Sequence, residues 1–467
     1  MHPIVVGLVA ALALAVGPGE PEALVARLGA PRLADREAAA AALTALGPDA
    51  IPALLAARHT SNLEARARVA ALLDALEATR ISAPTKLLLD FEQASLEQVA
   101  RTLGQRAGVR ILLEPESSPN WKTTIVKLVD PEPVLFWEAI NRLCKVGGLR
   151  IAPGDAWRFR QMAGNGRPED RGSPLLALMA TTVAPAPSSI DGAFLVSLTG
   201  LHRSREVAFP APVGPPGTAQ PEPLLTDRFQ AMIQVAVEPR MNIAQVGPAQ
   251  DVEGQDDRGQ ALSSPTSTGG VRPMLEPGQG LPIGPGDTSI GSMQVPLVYP
   301  ETQGTTIKRL KGMIPVVISG RRPNALIASL TEGLGKVVQD DDTAMQVHSV
   351  QVDQQTKRTT IEFSVWPKAG QPGGPPRPSI PGIPNRPGSG PGRAGLLVDP
   401  ARVEVRDADG KRCRLNAFTS RPEGLVSRCH WVLDPAPGIG LPTEIRFETH
   451  VWTTVEVSFE FRDLPMP

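Results

Sequence analysis

Few residues in this 467-residue chain have the types and spacing that do chemistry. The cysteines come first, because there are only three: Cys144, Cys413 and Cys429. Cys413 and Cys429 stand at equal distances on either side of Arg421, within reach of Ser420-Arg-Pro-Glu-Gly424. A short hairpin centred there would set them opposite one another. In an oxidising compartment that is a disulfide candidate, closing a loop of about 17 residues for ~3 kcal/mol by chain-entropy arithmetic. Two buried thiols on adjacent strands fit the same spacing. Cys144 falls on the apolar face of a helix and reads as core.

The histidines are His2, His59, His202, His348, His430 and His450. None forms an HxxxH or HxH pair, and none accompanies a cysteine at zinc-ligand spacing. Neither a nucleophile elbow nor a phosphate-binding loop is present. The acidic stretches Asp251–Asp257, Gln339–Asp342 and Asp407–Gly410 offer clustered oxygens of the kind calcium takes. None has EF-hand spacing, and turn chemistry accounts for them. Trp366, Trp431 and Trp452 could serve as carbohydrate platforms, although their alternating positions also suit a core. No catalytic, cofactor-binding or metal-binding residue is therefore assigned, no cofactor is expected, and Cys413 with Cys429 is the single site candidate.

Composition narrows the class. With 47 Lys+Arg against 48 Asp+Glu the charge is balanced, which points away from nucleic acid as a partner. Aromatic residues make up only 4%, with Tyr299 the lone tyrosine. The length suits about three domains. Ile4 to Val16 is an unbroken apolar run, the right length for a signal-peptide core and too short to span a bilayer. Cleavage after Gly17 follows from Ala15-Val-Gly17, so residues 1–17 are read as a signal peptide. No stable membrane span is expected after its removal, and the location is periplasmic or secreted.

Several elements must position any site. Residues 22–80 show helical periodicity, with Asp35 as an N-cap and Gly47-Pro48 as a stop. Between Pro84 and Gln161 the rhythm is β-α-β-β-α-β. Ser95 and Gln98 make a capping box for its first helix, which Gly108 ends. Asp130-Pro131 is placed at the start of the second, whose inner face is Phe136, Ala139, Ile140, Leu143 and Cys144. Residues 162–190 read as a linker. Short alternating strands then argue for a β-sandwich over 191–369. A Pro/Gly-rich loop follows at 370–393, with a second β unit over 394–467. The charged turns Asp256-Asp-Arg-Gly259 and Asp407-Ala-Asp-Gly410 echo one another, as do Val237-Glu-Pro-Arg240 and Val398-Asp-Pro-Ala-Arg402. The echo suggests β units of similar build before and after the loop.

Two resemblances bear on this layout. Arg36, Ala40, Leu43 and Leu46-Gly47, followed by Ala50-Ile-Pro-Ala-Leu-Leu55, resemble a HEAT-like helical repeat. The strand Leu87–Phe91, the helix from Ser95, Gly108-Val-Arg-Ile-Leu-Leu113, Ile125–Leu128, the Phe136-Trp-Glu-Ala-Ile140 helix and Gly148-Leu-Arg-Ile151 resemble the short N-terminal domain of secretins and TonB-dependent receptors. That resemblance implies a periplasmic protein–protein contact module with no catalytic residues. The secretin or receptor barrel is not seen downstream. The expectation is an α+β multidomain envelope protein, exported and non-enzymatic, acting through contact with or assembly among unidentified envelope proteins. The alternative is a hydrolase or carbohydrate-binding module with its site in the β-rich region.

Overall fold

The computed structural model describes residues 20–152, 175–208, 224–262, 290–321, 326–367, 398 and 402–467, apart from positions 59, 117, 301, 303, 340–342 and 424–425 within them. The apolar run at 4–16 and the Pro/Gly-rich loop at 370–393 lie outside those residues. The chain divides into two compact units, the first ending at Ile81.

The first unit is helical: α1 (Glu20–Arg27), α2 (Leu33–Leu46), α3 (Ile51–Ala57) and α4 (Leu63–Ser82). Leu28, Leu43, Ile51, Leu54, Val69 and Leu76 form its core. Helix α2 ends at Gly47, whose φ of 63° suits a residue without Cβ. The sequence reading expects no apolar stretch of membrane-spanning length beyond the first residues. Leu33–Ala57 is one by length and composition, because its alanines raise the average. Its larger side chains, Leu43, Ile51 and Leu54, are nonetheless buried in this core.

The second unit begins with β1 (Lys86–Leu87), β2 (Asp90–Ser95), α5 (Leu96–Ala107), β3 (Arg110–Glu114), α6 (Asn120–Thr123), β4 (Ile125–Val129), β5 (Val134–Leu135), α7 (Phe136–Gly147) and β6 (Leu149–Ile151). Helix α5 is capped by the Ser95 hydroxyl, which accepts the Gln98 N–H at 3.2 Å, and ends at left-handed Gly108. Helix α7 starts at Phe136 rather than at Asp130-Pro131; the Glu138 carboxylate accepts the Leu135 N–H at 3.2 Å. Asp130 pairs instead with Arg142. Leu96, Val99 and Leu103 of α5 and Phe136, Ile140 and Leu143 of α7 share one core with Phe91, Val126 and Leu128 of the strands.

The stretch expected as a linker contributes to this module. Leu175–Ala180 forms β7, which runs parallel to β3 and antiparallel to β6, filling the gap between them. Its run of Leu, Ala and Met gives no alternation because Leu176, Ala177 and Leu178 are all buried. The stretch also holds β8 (Ser188–Asp191).

The β region continues with β9 (Phe194–Ala208), β10 (Leu224–Val237), β11 (Asn242–Val246), β12 (Gln250–Asp256), β13 (Ile290–Leu297), β14 (Thr306–Arg321), β15 (Leu326–Ser329), β16 (Val337–Gln339), β17 (Thr343–Val352) and β18 (Thr359–Pro367). It ends with β19 (Val403–Asp407), β20 (Arg414–Glu423), β21 (Val426–Asp434), β22 (Pro442–Phe447) and β23 (His450–Pro465). One sheet has the order β8-β9-β10-β13, and a second repeats it as β16-β17-β18-β21 with β20 added. Each has a companion sheet built on one central strand: β14 between β12 and β23, and β22 between β19 and β15. The second pair stacks face to face, Met345, Phe363 and Trp431 meeting Val405, Ile445 and Phe447 in one core.

The repeat thus runs from β8 to β14 and from β16 to β22. It does not divide at the Pro/Gly-rich loop, which joins β18 to β19 inside the second copy. Nor do residues 394–467 stand alone, since β21 pairs β18 and β23 pairs β14. The copies also trade strands. The strand after β14 completes the sheet around β22, while the strand after β22 completes the sheet around β14.

Candidate functional site

The small sheet of the βα module offers an apolar solvent face. In β4, Val126 and Leu128 point into the core, so Ile125, Lys127 and Val129 must point out. Ile125 is 59% exposed, Val129 48% and neighbouring Leu88 42%, high for aliphatic side chains on a short sheet. Strand β2 sets Asp90 opposite Val129 and Ser95 opposite Ile125. Two ion pairs frame the aliphatic residues: Lys127 to Glu92 at 2.7 Å and Arg106 to Asp90 at 2.8 Å. The Arg106 hydrogen bond holds the Asp90 carboxyl below its ordinary value. The arrangement is an amphipathic patch of exposed aliphatic side chains beside ion-paired charges.

The module is held to the β region by buried polar contacts. Trp137 donates its indole N–H to the Ala193 carbonyl at 2.9 Å, and Glu238 N–H donates to the same oxygen at 3.1 Å. The Glu238 carboxylate, 2% exposed, accepts the Thr85 N–H at 2.8 Å and Arg240 Nε–H at 2.8 Å. Leu195 and Ala236 of the β region join the module's core. Sequence reasoning missed this joint, though Val237-Glu-Pro-Arg240, noted there only as an echo, supplies half of it.

Elsewhere in the β region, a groove of about 410 Å³ is lined by Asp191, Asp251, Glu253, Lys311, Phe459 and Glu460, among others. Its polar groups are largely engaged with one another. Asp191 accepts the Ser458 N–H at 2.7 Å, Lys311 meets Glu253 at 2.7 Å, and Glu460 meets Arg309 at 2.9 Å. Of the histidines, His348 lies 2.7 Å from the Ser364 hydroxyl on the neighbouring strand. Among the described residues no carboxylate hydrogen-bonds that imidazole, and His430 is exposed on β21 opposite Glu362. The His450 side chain and His2 and His59 lie outside the described residues.

Cys413 and Cys429 are not brought together, and both are free thiols. The hairpin turns between Glu423 and Val426, not at Arg421, so Cys429 faces Ser420. Cys413 precedes β20 altogether and donates its N–H to Val405 at 2.8 Å. Burial pushes both thiols up to about 11, and Cys144 to about 12. Trp431 is 2% exposed and edge-on to Phe363 and Phe418, which makes it core rather than a sugar platform. Trp366 is half-buried, and the Trp452 side chain lies outside the described residues.

The acidic stretches are turn devices where they are described. Asp256 accepts the N–H groups of Arg258 and Gln260 at 2.9 and 2.7 Å, and Asp407 those of Asp409 and Lys411 at 3.0 and 2.8 Å. Gly259 and Gly410 follow at φ 78° and 77°, as this left-handed turn position favours. No family model, no curated protein and no solved structure matches the chain.

Proposed function

We propose that this is an exported, non-enzymatic envelope protein that works by protein–protein contact, with the outer face of β2 and β4 as its docking patch. The single observation that carries the reading is the exposure of Ile125, Val129 and Leu88 beside two fixed ion pairs. Such a surface gains by burial against another protein and offers nothing to a reacting substrate. The module's resemblance to the secretin and TonB-receptor domain points the same way, and the apolar run at 4–16 fits export.

The test uses the full chain, because the module shares its core with β7, Leu195 and Ala236. Crosslinking in envelope extract should retain a defined partner set with the wild type. Ile125→Glu/Val129→Glu should lose that set while keeping the wild-type unfolding midpoint. Retention of an identical set by the variant would remove the patch from the account. The hydrolase alternative draws on the His348–Ser364 contact. A serine-directed fluorophosphonate that labelled wild type but not Ser364→Ala would favour it.

A further inference from the structure

Strand β20 is the edge of the five-stranded sheet, and its outer side pairs with no strand among the described residues. Long open edges invite another strand, so proteins usually guard them with charges, proline or bulges. Here the guards sit towards the ends: a register shift between Leu415 and Ala417, and Arg421 with Pro422. Ala417 to Arg421 runs unbroken.

The register on β21 shows which residues share a face. Leu415, Phe418 and Ser420 lie opposite Leu433, Trp431 and Cys429, the buried row of β21, and so point inward. Arg414, Ala417, Thr419, Arg421 and Glu423 lie opposite Asp434, Val432, His430, Arg428 and Val426, and point outward. On this ladder Arg414 and Glu423 are equidistant from Thr419, because the bulge at Asn416 absorbs one residue. Both are exposed, and neither has an ion-pair partner among the described residues.

Two edge strands related by a twofold axis perpendicular to the sheet run antiparallel and keep their faces, so a residue at the axis meets itself. With Thr419 on the axis, Ala417 meets Arg421 and Phe418 meets Ser420, inward with inward and outward with outward. Arg414 of each copy then meets Glu423 of the other. The parity that lets both ends match comes from the bulge; without it, Arg414 and Glu423 would stand on opposite faces.

We propose that the chain pairs with a second copy of itself through β20, joining two five-stranded sheets into one. The contact lies on a different sheet from the Ile125 patch and stands or falls independently of it. Sedimentation velocity of the full chain at low salt tests it. The wild type should dimerise in the micromolar range. Arg414→Glu and Glu423→Arg each place two like-charged pairs across the axis and should weaken association about tenfold. The double swap should restore it. An equimolar mixture of the two single variants should form a heterodimer of wild-type affinity, since each charge again meets its opposite. Both side chains are exposed, so unfolding midpoints should not move. A monomeric wild type, or single variants that associate as the wild type does, would overturn the proposal.

Discussion

Asp256 and Asp407 do the same work at the same place in two copies of one turn. Each carboxylate takes two N–H groups of its own turn on one oxygen. The other oxygen takes a glycine N–H just before the central strand of its sheet, Gly304 at 3.0 Å and Gly440 at 2.7 Å. Each turn then returns its chain to the strand it left, with Leu262 N–H bonding Gly254 and Cys413 N–H bonding Val405, both at 2.8 Å. The likeness of these contacts, more than the likeness of the sequences, marks the β region as a duplication.

The shared carboxylate predicts an acid response. The Gly440 N–H is the first cause holding the Asp407 carboxyl below its ordinary 3.8; desolvation opposes it, and the Lys411 and Asp409 N–H groups then lower it further. A pKa lowered on folding stabilises the fold above the ordinary value, and that contribution disappears as pH falls through the lowered one. Asp407→Asn should therefore be less stable than wild type at pH 7, with the gap narrowing below about pH 4. Urea unfolding at both pH values reads the difference; a gap independent of pH would contradict the assignment.

Gly312 and Phe459 should show strong coupling. A Cβ at Gly312 would meet the Phe459 ring at 2.9 Å and the Gln250 carbonyl at 3.1 Å. Gly312→Ala should cost about 2 kcal/mol as an overpacking change, and Phe459→Ala about 3 kcal/mol through its cavity. In the Phe459→Ala background the glycine substitution should cost clearly less. A double-mutant cycle by chemical denaturation measures this, and additive costs would show that the ring and the glycine do not meet.

The thiols should stay unpaired. Protein recovered from an oxidising compartment is expected to give no Cys413–Cys429 linked peptide by mass spectrometry. Cys429, facing Ser420 in the core, should resist alkylation at pH 8 until the chain unfolds. Recovery of the linked peptide from folded protein would mean that β20 and β21 adopt another register.

The joint at Glu238 should be costly to break. Glu238→Ala removes the acceptor of the half-buried Thr85 N–H and of the Arg240 Nε–H, and should destabilise by about 3 kcal/mol. Residues 84–161 expressed alone lack β7 and should give the NMR dispersion of an unfolded chain. A folded spectrum from that fragment would show that the module closes without its seventh strand.

How far could the residues have told this? Ser95, Gln98 and Gly108 announced α5 because capping is local chemistry. The Asp407 turn was readable for the same reason. Strand β7 was hidden because a strand covered on both faces loses the alternation that identifies strands, and Pro/Gly-rich sequence surrounds it. The cysteine pairing misled because it assumed a hairpin apex at Arg421, whereas the ladder closes at Glu423 and Val426 and a bulge shifts what lies beyond. The outward Ile125 and Val129 were visible in the strand pattern, but only the packed structure says which face of β4 is covered. The exchange of β15 and β23 between the sheets around β14 and β22 is a long-range choice, and no local signal encodes it.

That exchange has a consequence for how the chain is made. The sheet around β14 stays open until residues 450–465 have been synthesised, long after its other strands have left the ribosome. A message broken or a chain clipped anywhere before His450 yields a first copy with an exposed long edge and no means of closing it. Val457, Phe459, Phe461 and Leu464 are the residues that seal it. The β14 sheet thus closes last, and a partial product leaves a strand edge open to proteases and chaperones.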